Sequence, residues 1–461
     1  MKKLIQGGTV VTATNESVAD VLVDGEEIVA VGSLGDVDAE VVDAGGCYVL
    51  PGLIDNHTHM AMPFGGTVSI DDYDTGTRAA AAGGTTCIVD FVIQQHPDGL
   101  RSSLEEWQER ASGAAHVDYG FHMAITQADD ATLDDMGPMV EEGLCSFKVF
   151  LAYKGAIMVT DDLFFRVMEN TRDLGALTMV HCENGWAIDV LVERALAAGQ
   201  TEPIYHAHTR PEELEAEATS RSVRFAELTG ASVYIVHVTC GLAADEIAAG
   251  QARGVDVSGE TCLQYLTNTV EDLERPDFEG ARYVCSPPLR KAHNQELLWA
   301  ALRRGVLESV STDHCPFNSE QKALGRDDFS KIPNGLAMIQ HRLVKLWDLG
   351  VDGGLITPSE LVDLTSTAIA RRFGLARKGS IAPGMDADLV VFDPTTPFEF
   401  STRTSHMNVD YDLFEGQRST GSVRQTFCRG TLVYDRGEIR TDPGHGRFVP
   451  RSLGAPTPVA S

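Results

Sequence analysis

Four histidines, a lysine and an aspartate stand out because each closes, or nearly closes, a short apolar run. They are His57 and His59 in GLIDNHTH, Lys148 in SFKVF, His181 in LTMVH, His237 in VYIVH and Asp313 in SVSTD. Imidazole nitrogens and carboxylate oxygens are the ligands of zinc-type cations. On a strand, the i, i+2 spacing of His57 and His59 puts both rings on one face, able to share an ion. Taken singly, His181 and His237 read as hydrogen-bonded structural histidines and Asp313 as a cap or turn residue. On successive strands with matching apolar approaches, they read together as ligands.

Lys148 needs a different chemistry, since an ammonium has no lone pair to give. Burial lowers the pKa of a lysine, and a neutral amine can add carbon dioxide to form a carbamate. Its two oxygens can bridge cations ~3.5–4 Å apart. A snorkelling lysine, or one paired with Asp313, is the alternative. His314 alternates away from this side of its strand. A second pair, His206 and His208 in YHAHTRPEE, precedes a helix start instead of closing an apolar run, and reads as solvated or loop residues.

The elements that must position these groups repeat one phrase over residues 51–375. A buried apolar run is followed by an Ala/Leu/Glu-rich helical stretch. The runs are LPGLIDNHTH, GTTCIVDFV, VDYGFHMAI, LCSFKVFL, ALTMVHCE, SVYIVHVT, GVDVSGETC and ESVSTDH. Helices are predicted in LEEWQERA, DDLFFRVMENTRDLG, RPEELEAEATSRSVRFAELTG, GLAADEIAAGQARG and NQELLWAALRRG. Strands alternating with helices pair in parallel, and about eight units point to an α/β fold, a (β/α)8 TIM-like barrel. A doubly wound open sheet is the alternative, weakened because no GxGxxG or Walker-type loop opens the first helix. In a barrel the ends of the runs converge on one face, where such enzymes carry their active sites.

Residues 1–50 and 376–440 are β-rich, with short Val/Ile runs between turn signals, and predict one small β-sandwich domain built from both termini. Its N-terminal part reads as an antiparallel sheet. Residues 441–461 are Pro/Gly-rich and polar, a C-terminal arm or frayed end.

The 461 residues carry 37 Lys+Arg against 67 Asp+Glu, a formal net charge of −30. Such a surface repels phosphate backbones and anionic lipid, which argues against nucleic-acid and membrane partners. Nine cysteines contain no CxxC pair, as expected of reduced thiols. Gly7 and Gly8 interrupt any apolar leader in MKKLIQGGTVV, and no apolar run approaches the ~20 residues of a membrane helix. A cytoplasmic protein is expected.

Seven stretches in this order resemble the dihydropyrimidinase/D-hydantoinase family of the amidohydrolase superfamily: GLIDNHTH with MPFGGT, SFKVFLAYKG, VHCENG, VHVT, CSPPLR, STDHCPF and KIPNG. The resemblance implies hydrolytic ring opening of dihydropyrimidines or 5-substituted hydantoins to N-carbamoyl amino acids, by a hydroxide drawn from water between two divalent ions, Zn2+ or Mn2+. It implies that His57, His59 and Asp313 bind one ion and His181 and His237 the other, with carboxylated Lys148 bridging. Asp313 would be the proton carrier and Tyr153 the oxyanion donor. Ser286 and Asn334 would hold the cyclic amide, largely through backbone groups, while Met62, Phe64, Phe150 and Ile157 shape the pocket for the ring substituent. A homotetramer is also implied.

Three relatives offer alternatives. A dihydroorotase-like site would carry Arg two residues after the second histidine, where Ala61 stands. Allantoinase is less similar across MPFGGT, CSPPLR and KIPNG. The non-enzymatic collapsin response mediator proteins lack the metal set, whereas all six ligand positions are filled here. The chain departs from the family at Trp186, where HCENG is usually followed by Asp, which bears on loop contacts or substrate scope. Asn56 carries no assignment.

Overall fold

The computed structural model describes residues 2–95, 99–127 and 129–454. Its centre is a ring of eight parallel strands: Leu53–Thr58, Thr85–Ile93, Asp118–Ala124, Ser146–Phe150, Leu177–His181, Val233–Ile235, Val257–Cys262 and Ser309–Ser311. They follow one another around the sheet in chain order. All but Ile93 are buried, so these strands are apolar on both faces apart from the polar residues they deliver, as parallel strands covered by helices must be. The ring closes where Thr58 bridges His314 and the His59 N–H donates to the His314 carbonyl at 2.9 Å. The eight expected runs are these eight strands.

The covering helices form for ordinary reasons. In Asp161–Leu174, Asp161 and Asp162 occupy the first turn, where they suit the helix dipole, and Gly175 ends the helix at φ +63°. Its buried Phe164, Val167, Met168 and Thr171 recur at i, i+3, i+4, i+7, the stripe that packs on the sheet. The other four expected helices appear as Gly99–Ala111, Glu212–Thr229, Gly241–Ala252 and His293–Arg303.

Both ends of the chain build a second sheet of nine strands. It is mixed, which corrects the antiparallel reading of the N-terminal part: Lys2–Val11 pairs antiparallel with Glu16–Asp24 but parallel with Glu40–Asp43 and Tyr48–Pro51. The β-sandwich expected from the two termini is one hydrogen-bonded path, and Ile5, Val21, Ile28, Val49, Leu389, Val391 and Phe427 share its core. Leu389–Asp393 pairs with Tyr48–Pro51 and so joins the two termini.

The sheet and the barrel meet at the start of the third barrel strand. There Lys378 Nζ lies 2.8 Å from Asp118, 2.7 Å from Asp388 and 3.2 Å from Asp386. The segment after Thr441 packs against the same end. Phe448 stacks on Phe121 with centroids 5.6 Å apart, and buried Arg451 donates to the Phe121 and Phe373 carbonyls and to Ser146 Oγ. Residues 441–454 are therefore anchored, and 455–461 lie outside the described residues.

Candidate metal centre and substrate cleft

The first strand carries His57 inside its end and His59 just beyond it. The rings lie 5.2 Å apart, and each Nε2 reaches Asp313 Oδ1, at 3.2 Å from His57 and 3.0 Å from His59. Across the mouth, His181 Nδ1 faces His237 Nε2 at 3.0 Å, and the His57 and His237 centroids are 5.3 Å apart. Lys148 sits within its strand, not at its end, fully buried, with Nζ 4.8 Å from the Phe91 ring centre and 4.9 Å from that of Phe150.

These groups fit divalent cations. His57 Nε2 is buried and makes no hydrogen bond despite its nearness to Asp313. An unpaired nitrogen in a buried site is costly unless something else takes its lone pair. Ligand separations of 3.0–3.2 Å are close to the edge of a tetrahedron with ~2.0 Å metal bonds, about 3.3 Å. Burial, with the neighbouring Lys148 and other imidazoles, holds His57 and His237 well below the usual histidine range, so both stay neutral. Burial likewise lowers Lys148, which favours the free amine that carbamylation requires.

The candidate ligands are aimed from behind. Glu260 Oε1 accepts from His57 Nδ1 at 2.5 Å, and Glu183 Oε2 from His181 Nε2 at 2.8 Å. Each contact leaves the other ring nitrogen facing the centre. Asn56 Nδ2 and Tyr234 Oη in turn donate to Glu260. Asp90 takes hydrogen bonds from Thr58 Oγ1, the Met60 N–H and the Tyr73 hydroxyl, which fixes the chain on both sides of His59.

Sequence reasoning passed over Glu260, Glu183 and Asn56. Glu260 lies in the seventh run, one of three given no ligand, and Glu183 stands two residues after His181; those were the available signals. Backbone strain is a further marker. Tyr153, His237 and Asp313 hold φ of +67°, +42° and +48°, a region that costs a non-glycine residue roughly 1–2 kcal/mol.

One cleft brings the predicted residues together: the six candidate ligands, Tyr153, Ser286, Asn334, Met62, Phe64, Phe150 and Ile157. Pro63, Ile93 and Cys315 also line it. Tyr153 shares this cleft with Ser286 and Asn334, and burial together with the Glu183 carboxylate pushes the phenol up, against the opposing pull of those two side chains. The Ser286 and Asn334 loops are tied together by buried Lys322, whose ammonium donates to the carbonyls of Val284, Pro333 and Gly335 at 2.7–2.9 Å. Gly335 is required there: at φ +150°, a Cβ would lie 2.1 Å from the Cys315 carbonyl oxygen.

Three sequence readings change or gain content. His206 is buried, not solvated: its Nε2 lies 2.9 Å from the Cys285 carbonyl and 3.0 Å from Ser286 Oγ, whereas His208 is exposed. His314 does turn from the cleft, toward Asp71 Oδ2 at 3.0 Å. Trp186 is exposed beneath the Lys154 ammonium, 4.4 Å from the ring centre, beside the loop of Tyr153.

A closed eight-stranded barrel with a His/Asp cluster at its mouth able to hold a metal ion defines the class of the molecule. Residues 48–433 match the amidohydrolase family. The D-hydantoinase of Geobacillus stearothermophilus is 48% identical over 456 residues, covering 98% of this chain and 97% of that one. The dihydropyrimidinase of Arabidopsis thaliana is 43% identical over 452 residues, 97% of this chain and 85% of that one. The crystal structure of dihydropyrimidinase from Brevibacillus agri superposes with a TM-score of 0.97 at 50% identity, covering 99% of this chain and all of that one. The chain belongs to the amidohydrolase family, a family of binuclear metal enzymes, and groups within it with the D-hydantoinases and dihydropyrimidinases.

Proposed function

We propose that this protein hydrolyses the ring amide of dihydropyrimidines and 5-substituted hydantoins, releasing N-carbamoyl amino acids. The observation that carries the reading is the single cleft in which metal-type ligands, a phenol and two amide-holding loops face one another. His57, His59 and Asp313 would hold one divalent ion and His181 and His237 the other, with Lys148, carboxylated on Nζ, between them. Zinc suits the nitrogen-rich set, and manganese is the second choice. When bound, such a pair lowers the pKa of water and polarises a carbonyl.

The chain's own groups do the rest. Ser286 and Asn334 hold the cyclic amide through backbone groups, and Met62, Phe64, Phe150 and Ile157 surround the ring substituent. As water oxygen bonds to the ring carbonyl carbon, Asp313 accepts its proton. Despite its burial, Asp313 is held below the usual carboxylate range, with His59 as a hydrogen-bond partner, so it starts ionised. Tyr153 donates its hydroxyl to the oxygen that gains charge, a contact worth ~10²–10³ in rate where such donors have been removed. When the carbon–nitrogen bond breaks, Asp313 returns the proton to the leaving ring nitrogen.

A cytoplasmic homotetramer remains part of the proposal; among the described residues no helix is long and apolar enough to cross a membrane. The test is a rate panel over dihydrouracil and both enantiomers of several 5-substituted hydantoins, with metal content measured on the same sample. Turnover of none of them by metal-loaded protein would overturn the reading.

A further inference from the structure

The proposed mechanism leaves buried His206 without a task, yet its surroundings settle which way its proton points. Arg210 Nη1 lies 3.4 Å from His206 Nδ1. A guanidinium can only donate, so Nδ1 accepts and the imidazole proton sits on Nε2. That proton faces the Cys285 carbonyl and Ser286 Oγ, at 2.9 and 3.0 Å. Burial and the Arg210 charge hold the ring well below the usual histidine range, so this single tautomer persists at neutral pH. Ser286 Oγ, receiving from His206, has its own proton free for the next acceptor. The Tyr153 hydroxyl lines the same cleft, and the Ser286 and Asn334 side chains draw its pKa down.

We infer that His206 is a positioning residue: the chain Arg210, His206, Ser286, Tyr153 donates in one direction throughout, so that the tyrosine oxygen is filled by donors and its proton is turned into the cleft. Without it, the Ser286 and Tyr153 hydroxyls could each rotate to donate to the other, and the tyrosine proton would spend part of its time pointing away from the substrate carbonyl. This role rests on the reading of Tyr153 as the oxyanion donor.

The experiment measures kcat and KM on a 5-substituted hydantoin for metal-loaded His206→Phe, His206→Gln, Ser286→Ala, the double variant His206→Phe/Ser286→Ala, and Tyr153→Phe, with metal content and melting temperature alongside. Gln can place an amide N–H where Nε2 stood. We expect His206→Phe to lower kcat about 10–100-fold with KM held within about threefold and metal content unchanged, and His206→Gln to recover most of that loss. In the Ser286→Ala background the Phe substitution should cost less than about threefold more, because coupled residues are not additive. Additive losses, a loss confined to KM, or Gln behaving like Phe would overturn the inference. Should His206→Phe fail to fold, Gln against Asn carries the test: Asn is too short to reach the Nε2 position, and equal rates for the two would overturn it. Tyr153→Phe separates the two failures. An unaffected rate there sinks the tyrosine reading itself, whereas a large loss there with additive His206 and Ser286 effects sinks only the relay.

Discussion

At the C-terminal end of the barrel strands, Asp313 lies within 3.2 Å of two imidazoles, and Lys148, which lines the same cleft, is buried against the faces of Phe91 and Phe150. At the opposite end, Asp118 meets Asp386 and Asp388, and Lys378 reaches all three carboxylates while Arg429 takes Asp118 from the other side. The ligand atoms of each trio lie within 4.8 Å of one another, close enough to hold a metal ion. The lysines titrate in opposite directions. Burial lowers Lys148, and its acidic neighbours do not make good the loss, whereas the carboxylates around Lys378 outweigh burial and raise it. Where the chain supplies its own cation, the acids serve as a structural joint between sheet and barrel. Where it withholds one, the lone pairs remain available to an ion from solution.

The comparison can be broken most sharply at the mouth. Asp313→Asn should keep the fold and lose about 10³-fold or more in kcat, since proton transfer alone accounts for roughly 10²–10⁴; an unaffected rate would remove Asp313 from the chemistry. Lys148→Ala should lose metal as well as turnover, with partial rescue by short carboxylic acids, and two ions still bound per chain would end the carbamate idea. At the joint, Lys378→Met should cost about 3–5 kcal/mol in denaturant unfolding, because removing one partner leaves buried charge uncompensated, with kcat of the folded fraction unchanged. It should also convert the acidic trio into the other kind of site, so that millimolar Ca2+ raises the melting temperature of Lys378→Met and not of the parent; equal shifts would refute the contrast. The smallest effect belongs to the support of a ligand. Glu260→Gln leaves His57 in place but weakens its anchor, and should lower metal affinity about 10–100-fold, read by competition with a chelator.

Much of this was legible along the chain because parallel strands buried on both faces must be apolar, so a polar residue at the end of such a run is conspicuous. His57, His59, Lys148, His181, His237 and Asp313 were found that way. Glu260 lies near the end of the seventh run, two residues before its last, and was passed over because the ligand set already looked complete. His206 was misread because its local context, a short helix beside a Pro/Glu-rich start, resembles a solvated turn. Its burial comes from the Cys285–Ser286 loop, some 80 residues away. Lys322 is of the same kind: a lysine in SEQK looks exposed until three carbonyls from two separate loops close around it.

By itself, the sequence determined the alternation of strands and helices, the side chains delivered to the barrel mouth and the family, because periodicity and residue type are local properties. Only the tertiary structure decided which acids keep a lysine and which are left to a metal, the direction in which His206 donates, and the parallel pairings that make the terminal sheet mixed. Each of these depends on distances between segments remote in the chain, and hydrogen-bond polarity and charge compensation exist only once those distances are closed.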